Sequence, residues 1–328
     1  MSSKTCSWNM TFIEDCLNDN LKWFYYVAIT SFVIITLLTT IILIYKCCDN
    51  SPLWDDYMFE PSFGFLFWLA LQALSRTLLL IIIFLNIFPG CYILRTIING
   101  SSWIFGTCVS ATYLVGIFRA IPRLTFHQST TNREDNQSKP TTSFIPNQRS
   151  LATIYWTFII TFSIIIFTLT SIRGYAVSTH KDNMNNTVSL IILFVIGISN
   201  ISIVLCFLKY GGLLFTLINE CALITGGKDF RVRVQSELHK SYVNKLRILS
   251  SSITILVLWS SMSCFVFSIL GTMAKGSTVM LYILIIVNKL LTVLGILVTF
   301  SGVFYYQLSA AKTNSIVDVD DTDTFDVA

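Results

Sequence analysis

An all-α bundle of seven membrane-spanning helices, with the N-terminus outside and the C-terminus cytoplasmic, is the fold class this sequence predicts. Three observations predict it. Of the 328 residues, 54% are hydrophobic and only 12% are charged, against roughly 25% charged in soluble domains. Seven long runs are apolar and nearly free of charge, and about 20 such residues are what a helix needs to cross a hydrocarbon core about 30 Å thick. Finally, the Lys and Arg residues between those runs are unevenly shared between the two sides. The runs are continuous, without the alternation a lumen-facing pattern imposes, which excludes a transmembrane β-barrel.

Taken in order, residues 1–23 form an extracellular tail too short for a folded ectodomain, carrying Cys6 and Cys16. Its start is polar and the first apolar run is too long for a signal-peptide core, so the first helix is expected to act as its own insertion signal. The seven-transmembrane domain covers 24–306, with spans Phe24 to Tyr45, Phe63 to Phe88, Ile97 to Phe118, Leu151 to Ile172, Val188 to Leu208, Ile248 to Met273 and Thr278 to Tyr306. The third run is the least apolar, because Asn99, Gly100 and two serines open it.

Between spans three and four, residues 127–150 are rich in Ser, Thr, Asn and Gln, a composition that predicts a disordered cytoplasmic loop. Residues 209–247 form a basic cytoplasmic segment. Within it, Gly211 to Gly227 reads either as an interfacial helix or as a prolongation of helix five, and Lys228 to Arg247 as a cytoplasmic extension of helix six. Residues 307–328 are a short acidic cytoplasmic tail.

Orientation follows from the positive-inside rule. With the N-terminus outside, 14 Lys and Arg residues lie on the cytoplasmic side and 6 outside, while Arg76 and Lys289 fall within spans. Sequons at Asn9, Asn99 and Asn185 fall in segments this orientation places outside, and Asn9 and Asn185 are the candidate glycosylation sites. Of nine cysteines, Cys6, Cys16 and Cys91 lie on the oxidising side and are the disulfide candidates. Cys47 and Cys48, just inside helix one, are juxtamembrane thiols of the kind that accept palmitate.

The sequence lacks the groups that intramembrane catalysis needs. The three histidines, His127, His180 and His239, are in loops, and no Asp or Glu lies within the seven spans. That argues against a zinc hydrolase and a carboxylate-relay transporter. No catalytic residue, metal site, cofactor or nucleic-acid partner is expected, and the chain is not expected to be an enzyme.

Arg76 and Lys289 stand out instead. Each lies about twelve residues from a helix end, roughly 18 Å at 1.5 Å per residue, too deep to snorkel, and costs about 2.5–3.5 kcal/mol on insertion scales. Gln72 and Arg76 share a face at a spacing of four, and Tyr282, Lys289 and Thr292 recur at seven and three. With Asn288, these residues form the expected polar pocket for an anionic or carbonyl-bearing ligand or a lipid headgroup. The alternative is that both cations bond carbonyls and polar side chains such as Asn86 or Asn288 and fix helix packing.

At the inner end of span three, Tyr113-Leu-Val-Gly-Ile-Phe-Arg119-Ala-Ile-Pro122-Arg123 resembles the Arg- and Pro-containing neighbourhood of G-protein-coupled receptors. No acidic residue precedes Arg119, and span seven has no Asn-Pro-x-x-Tyr. Leu74-Ser75-Arg76-Thr77 resembles helix two of the plant tobamovirus-multiplication seven-helix family. The receptor resemblance implies a divergent plasma-membrane receptor that senses a small ligand. It further implies that Arg119, Arg123, Lys240, Lys245 and Arg247 dock a heterotrimeric G protein. The competing expectation is a non-signalling membrane protein: a lipid-binding scaffold, an accessory subunit or an anion-selective facilitator.

Overall fold

A computed structural model describes residues 22–48, 53–55, 58–131, 147–216 and 250–266, without the side chains of 22–25, 55 and 120–131. Apart from one two-residue-per-strand hairpin, the described elements are helices, and five of them are long and apolar enough to cross a membrane. The chain therefore has the build of a multi-pass membrane protein. The expected seventh span, the acidic tail and residues 217–249 of the basic segment lie outside the described residues.

Helix α1 (Lys22–Cys48) buries Ala28, Phe32, Ile35 and Thr39 on one stripe and leaves Ile34, Leu37, Ile41 and Ile44 exposed. The buried positions recur at four, three and four, one face of a 3.6-residue helix. The hydroxyls of Ser31, Thr36, Thr39 and Thr40 bond carbonyls of their own helix, as when Thr39 Oγ1 donates to the Ile35 carbonyl at 2.8 Å, which satisfies them without water.

Strands β1 (Trp54–Asp55) and β2 (Met58–Phe59) pair antiparallel with Trp54 opposite Phe59. Glu60 then caps α2 (Pro61–Phe84), its carboxylate accepting the Phe63 N–H at 2.8 Å, and Pro61 occupies the first turn, where its missing N–H costs nothing. Lys46 at the end of α1 donates to the same carboxylate at 2.7 Å and also bonds Ser62. Burial alone would raise the Glu60 carboxyl, but the bonds from Lys46, Ser62 and the Phe63 N–H outweigh it and hold it below its ordinary 4.5.

A short turn with left-handed residues Asn86, Phe88 and Gly90 leads to α3 (Tyr92–Thr131). After it come α4 (Gln148–Ser178) and α5 (Asp182–Cys206), the latter continuing through a π-helical turn, Phe207–Gly211, as far as Thr216. The described part of α6 is Ser250–Val266. Neighbours in sequence are neighbours in space from α1 to α5, and α3 also touches α5.

Backbones approach closely where side chains are smallest. A Cβ on Gly174 of α4 would fall 2.5 Å from the Ile93 Cα of α3, and one on Gly106 of α3 would fall 2.6 Å from Gln72 Nε2 of α2. Helix α6 docks on α5 through Ser261 Oγ, which donates to the Gly197 carbonyl at 2.9 Å.

Several expectations are corrected here. Helix α3 begins at Tyr92, a full turn before the expected start, and runs through Thr131, so His127 to Thr131 are helical and not disordered. Residues 148–150 open α4. Asn99 lies inside α3 with 7% exposure, so its sequon is not on an outer surface. Gly211 to Thr216 prolong helix five, which decides between the two alternatives for that stretch as far as it is described.

Candidate functional site

Among the buried charged groups of the described bundle is the Arg76 guanidinium. Helix α2 places it deep in an apolar run on the face that meets α3, and it is 6% exposed. Nη1 donates to Asn99 Oδ1 at 3.5 Å, the outer limit of a hydrogen bond. The guanidinium carbon sits 4.8 Å from the centroid of Trp103, one turn further along α3. Nε has no hydrogen-bond partner among the described residues.

These contacts compensate the charge only in part. A desolvated cation over an indole gains about 2 kcal/mol, whereas a buried donor left unmade costs about 1–3 kcal/mol. No carboxylate makes up the difference: among the described residues of α1 to α6, the sole acidic side chain is Asp182, exposed in the first turn of α5. Among the described residues no three His, Cys, Asp or Glu side chains cluster in a way that could hold a metal ion.

Of the expected pocket, Gln72 and Arg76 share the α2 face against α3, with the Gln72 amide packed over Gly106. Tyr282, Asn288, Lys289 and Thr292 lie outside the described residues. Asn86 bonds a different cation from the one considered, since Arg95 Nη2 donates to Asn86 Oδ1 at 3.2 Å and to the Ile87 carbonyl at 3.1 Å. Arg95 is 2% exposed, which corrects its assignment to an outer loop. Arg173, also assigned outside, is within α4, and its Nε donates to Asn185 Oδ1 at 3.3 Å.

Asn185, a candidate glycosylation site, is thus half-buried in the first turns of α5, while Asn9 lies outside the described residues. Of the expected cytoplasmic surface, Arg119 is 7% exposed, so its side chain is buried and not presented to a partner. Arg123 is on α3 with its side chain undescribed, and Lys240, Lys245 and Arg247 lie outside the described residues. Cys91 is exposed just before α3, and its candidate partners Cys6 and Cys16 are outside the described residues.

Sequence reasoning missed Asn99 and Trp103 as neighbours of Arg76. A signal for them existed: Asn99 and Trp103 are four apart and so share one face of α3. No known protein family, curated protein or solved structure matches this chain.

Proposed function

We propose that this chain is a seven-helix membrane receptor of the G-protein-coupled type, N-terminus outside, that senses a small anionic or carbonyl-bearing ligand at Arg76. In this reading Arg123, Lys240, Lys245 and Arg247 meet the cytoplasmic partner. The observation that carries it is the buried Arg76 guanidinium, partly satisfied by a distant amide and an indole, with one N–H unpaired among the described residues. A cation in that state is complemented by a ligand oxygen. The excess of cytoplasmic Lys and Arg supports the orientation. The π-helical turn at Phe207–Gly211 is in keeping with this reading, because such turns occur frequently at functional sites.

The second reading, a non-signalling membrane protein, is favoured by the burial of Arg119, which removes one cation from the proposed docking surface. The two readings separate in membranes holding the full chain and a heterotrimeric G protein. Nucleotide exchange should exceed that of a combined Arg123→Gln, Lys245→Gln, Arg247→Gln variant at equal surface level. Equal exchange, or an ion conductance that persists in that variant, decides for the second reading.

A further inference from the structure

Helix α1 ends in a pair of adjacent thiols, Cys47 and Cys48, both exposed. Their positions around the helix axis differ. Lys46 is turned toward α2, where its Nζ donates to Glu60 Oε2 at 2.7 Å. At roughly 100° per residue, Cys48 is rotated by roughly 200° from Lys46 and so faces away from α2. Leu37, Ile41 and Ile44, all exposed, precede Cys48 at spacings of four, three and four, which puts the four residues on one face. Cys48 therefore ends the exposed apolar stripe of α1, whereas Cys47 lies at its edge.

The depth of the pair in the bilayer follows from its neighbours. Tyr45, one residue before Lys46, is exposed, and tyrosine and tryptophan gather at the level of the lipid head groups. Lys46, Glu60 and Ser62 open the polar layer. In the hairpin between α1 and α2, the exposed Trp54 stacks on Trp156 of α4 at 6.3 Å, a second aromatic group at that end of the helices. Cys48 is two residues beyond Lys46, about 3 Å along the axis at 1.5 Å per residue. Because the Cα–Cβ bonds of a helix tilt toward its N-terminus, the Cys48 side chain leans back toward the hydrocarbon. A chain attached to its Sγ runs over Ile44, Ile41 and Leu37 without turning round the helix.

Resting on the N-outside orientation proposed above, and on no other part of the receptor reading, we infer that Cys48 is the principal site of S-acylation by a long-chain fatty acyl group. That orientation places the thiol on the reducing side of the membrane, where juxtamembrane cysteines accept palmitate. The acyl donor is a long-chain acyl-coenzyme A thioester, brought to the site by a membrane acyltransferase. The Cys48 sulfur attacks the thioester carbonyl carbon, the new S–C bond replaces the one to coenzyme A, and the thiol proton leaves with the coenzyme A sulfur. No electrons are gained or lost. Cys108 and Cys264 are buried and do not compete, while Cys91, exposed at the opposite end of α2, serves as an internal control.

The test uses the full chain in cultured eukaryotic cells fed an alkyne analogue of hexadecanoate. Free thiols are blocked with N-ethylmaleimide, thioesters are opened with hydroxylamine, and each released thiol is read as an added maleimide-polyethylene glycol step on a gel. An endogenous acylated protein in the same lanes is the positive control. Parent and Cys91→Ala proteins should show a hydroxylamine-dependent step and alkyne label. Cys48→Ser should lose most of both, and Cys47→Ser should keep most of both. A step unchanged in Cys48→Ser, or lost equally in Cys47→Ser, overturns the assignment to Cys48.

Orientation is read separately, with acyltransferases inhibited. A membrane-impermeant maleimide should then label the parent above the Cys48→Ser level only after permeabilisation. That result without any hydroxylamine-dependent step overturns acylation and leaves the orientation standing. Labelling of Cys48 in intact cells overturns the orientation, and the acylation with it.

Discussion

Replacing Tyr155 by Phe probes a chain of hydrogen bonds that ties α2, α3 and α4 together. Trp68 Nε1 donates to Tyr155 Oη at 3.0 Å, Tyr155 Oη lies 2.7 Å from Thr112 Oγ1, and Thr112 Oγ1 is 2.8 Å from the Cys108 carbonyl. The Cys108 carbonyl can only accept, so the Thr112 proton goes to it and Tyr155 must donate to Thr112. The chain thus runs in one direction from indole to backbone. Tyr155 and Thr112 are 5% and 2% exposed, and Trp68 is half-buried.

Phe at this position keeps the ring and its edge contact with Trp156, 5.2 Å away, while the indole N–H loses its acceptor. The orphaned donor belongs to the half-buried Trp68, so its cost lies toward the low end of the about 1–3 kcal/mol of a fully buried one, and interhelical bonds in membranes couple by about 0.6 and at most about 1.7 kcal/mol. The expected loss is about 1–2 kcal/mol. Adding Trp68→Phe removes the stranded donor, so the double variant should recover about 0.6–1.7 kcal/mol relative to the sum of the single losses. Reversible unfolding in neutral detergent, run as a double-mutant cycle, measures this. A Tyr155→Phe loss below about 0.3 kcal/mol, or strict additivity with Trp68→Phe, would refute the directed chain.

Three further outcomes follow from the packing, the cap and the charge distribution. Gly174→Ala should destabilise by about 1–3 kcal/mol, because its Cβ meets the Ile93 Cα at 2.5 Å, whereas Gly212→Ala has open space and should stabilise by about 0.5–1 kcal/mol; equal unfolding temperatures would contradict the close α3–α4 approach. For Glu60, a folded carboxyl held below 4.5 means stability fully present above that value and lost as pH falls through the folded one, so Glu60→Gln should flatten the acid limb of the unfolding profile, and an unchanged limb would show that the cap carries no linkage. A protease tag after Ala328 should be cut only in permeabilised cells and one before Met1 in intact cells; cleavage of both from one side would exclude an odd number of spans.

How far the sequence could be read depended on what each residue faces. Apolar runs in α1, α2, α4 and α5 are legible because lipid contact demands continuous hydrophobicity, and their mean hydropathy is 2.0 to 2.7. Arg76 was legible for the same reason, as a charge with no local excuse. Arg95 and Arg173 were not, since both stand at the margins of apolar runs, where a cation is ordinarily solvated. Their actual partners, Asn86, the Ile87 carbonyl and Asn185, come from a turn and a neighbouring helix that no single run reveals. The hairpin at Trp54 to Phe59 escaped because strands of two residues are too short for alternation to register. Its Trp54 ring stacks on Trp156 of α4 at 6.3 Å, a contact between residues about a hundred positions apart.

Helix α3 accounts for both the weakest hydropathy and the location of the candidate site. Within Tyr92–Arg119 the most apolar 18 residues have a mean hydropathy of 1.4 and 56% of them are buried, whereas in α1 the corresponding figures are 2.7 and 22%. A helix surrounded by protein does not need lipid-compatible side chains, so α3 is free to carry Arg95, Thr96, Asn99, Ser102, Thr107 and Thr112 as buried groups. Most of the hydroxyls are satisfied along their own helix, as in Ser102 Oγ donating to the Asn99 carbonyl at 2.8 Å and Thr107 Oγ1 to the Trp103 carbonyl at 3.1 Å. That internal satisfaction leaves the Asn99 amide and the Trp103 indole to face α2, where Arg76 meets them. A polar helix at the centre of an apolar bundle therefore supplies Arg76 with neutral neighbours and no counter-charge. It is this combination, and not the arginine alone, that leaves the Arg76 charge only partly compensated at the α2–α3 interface.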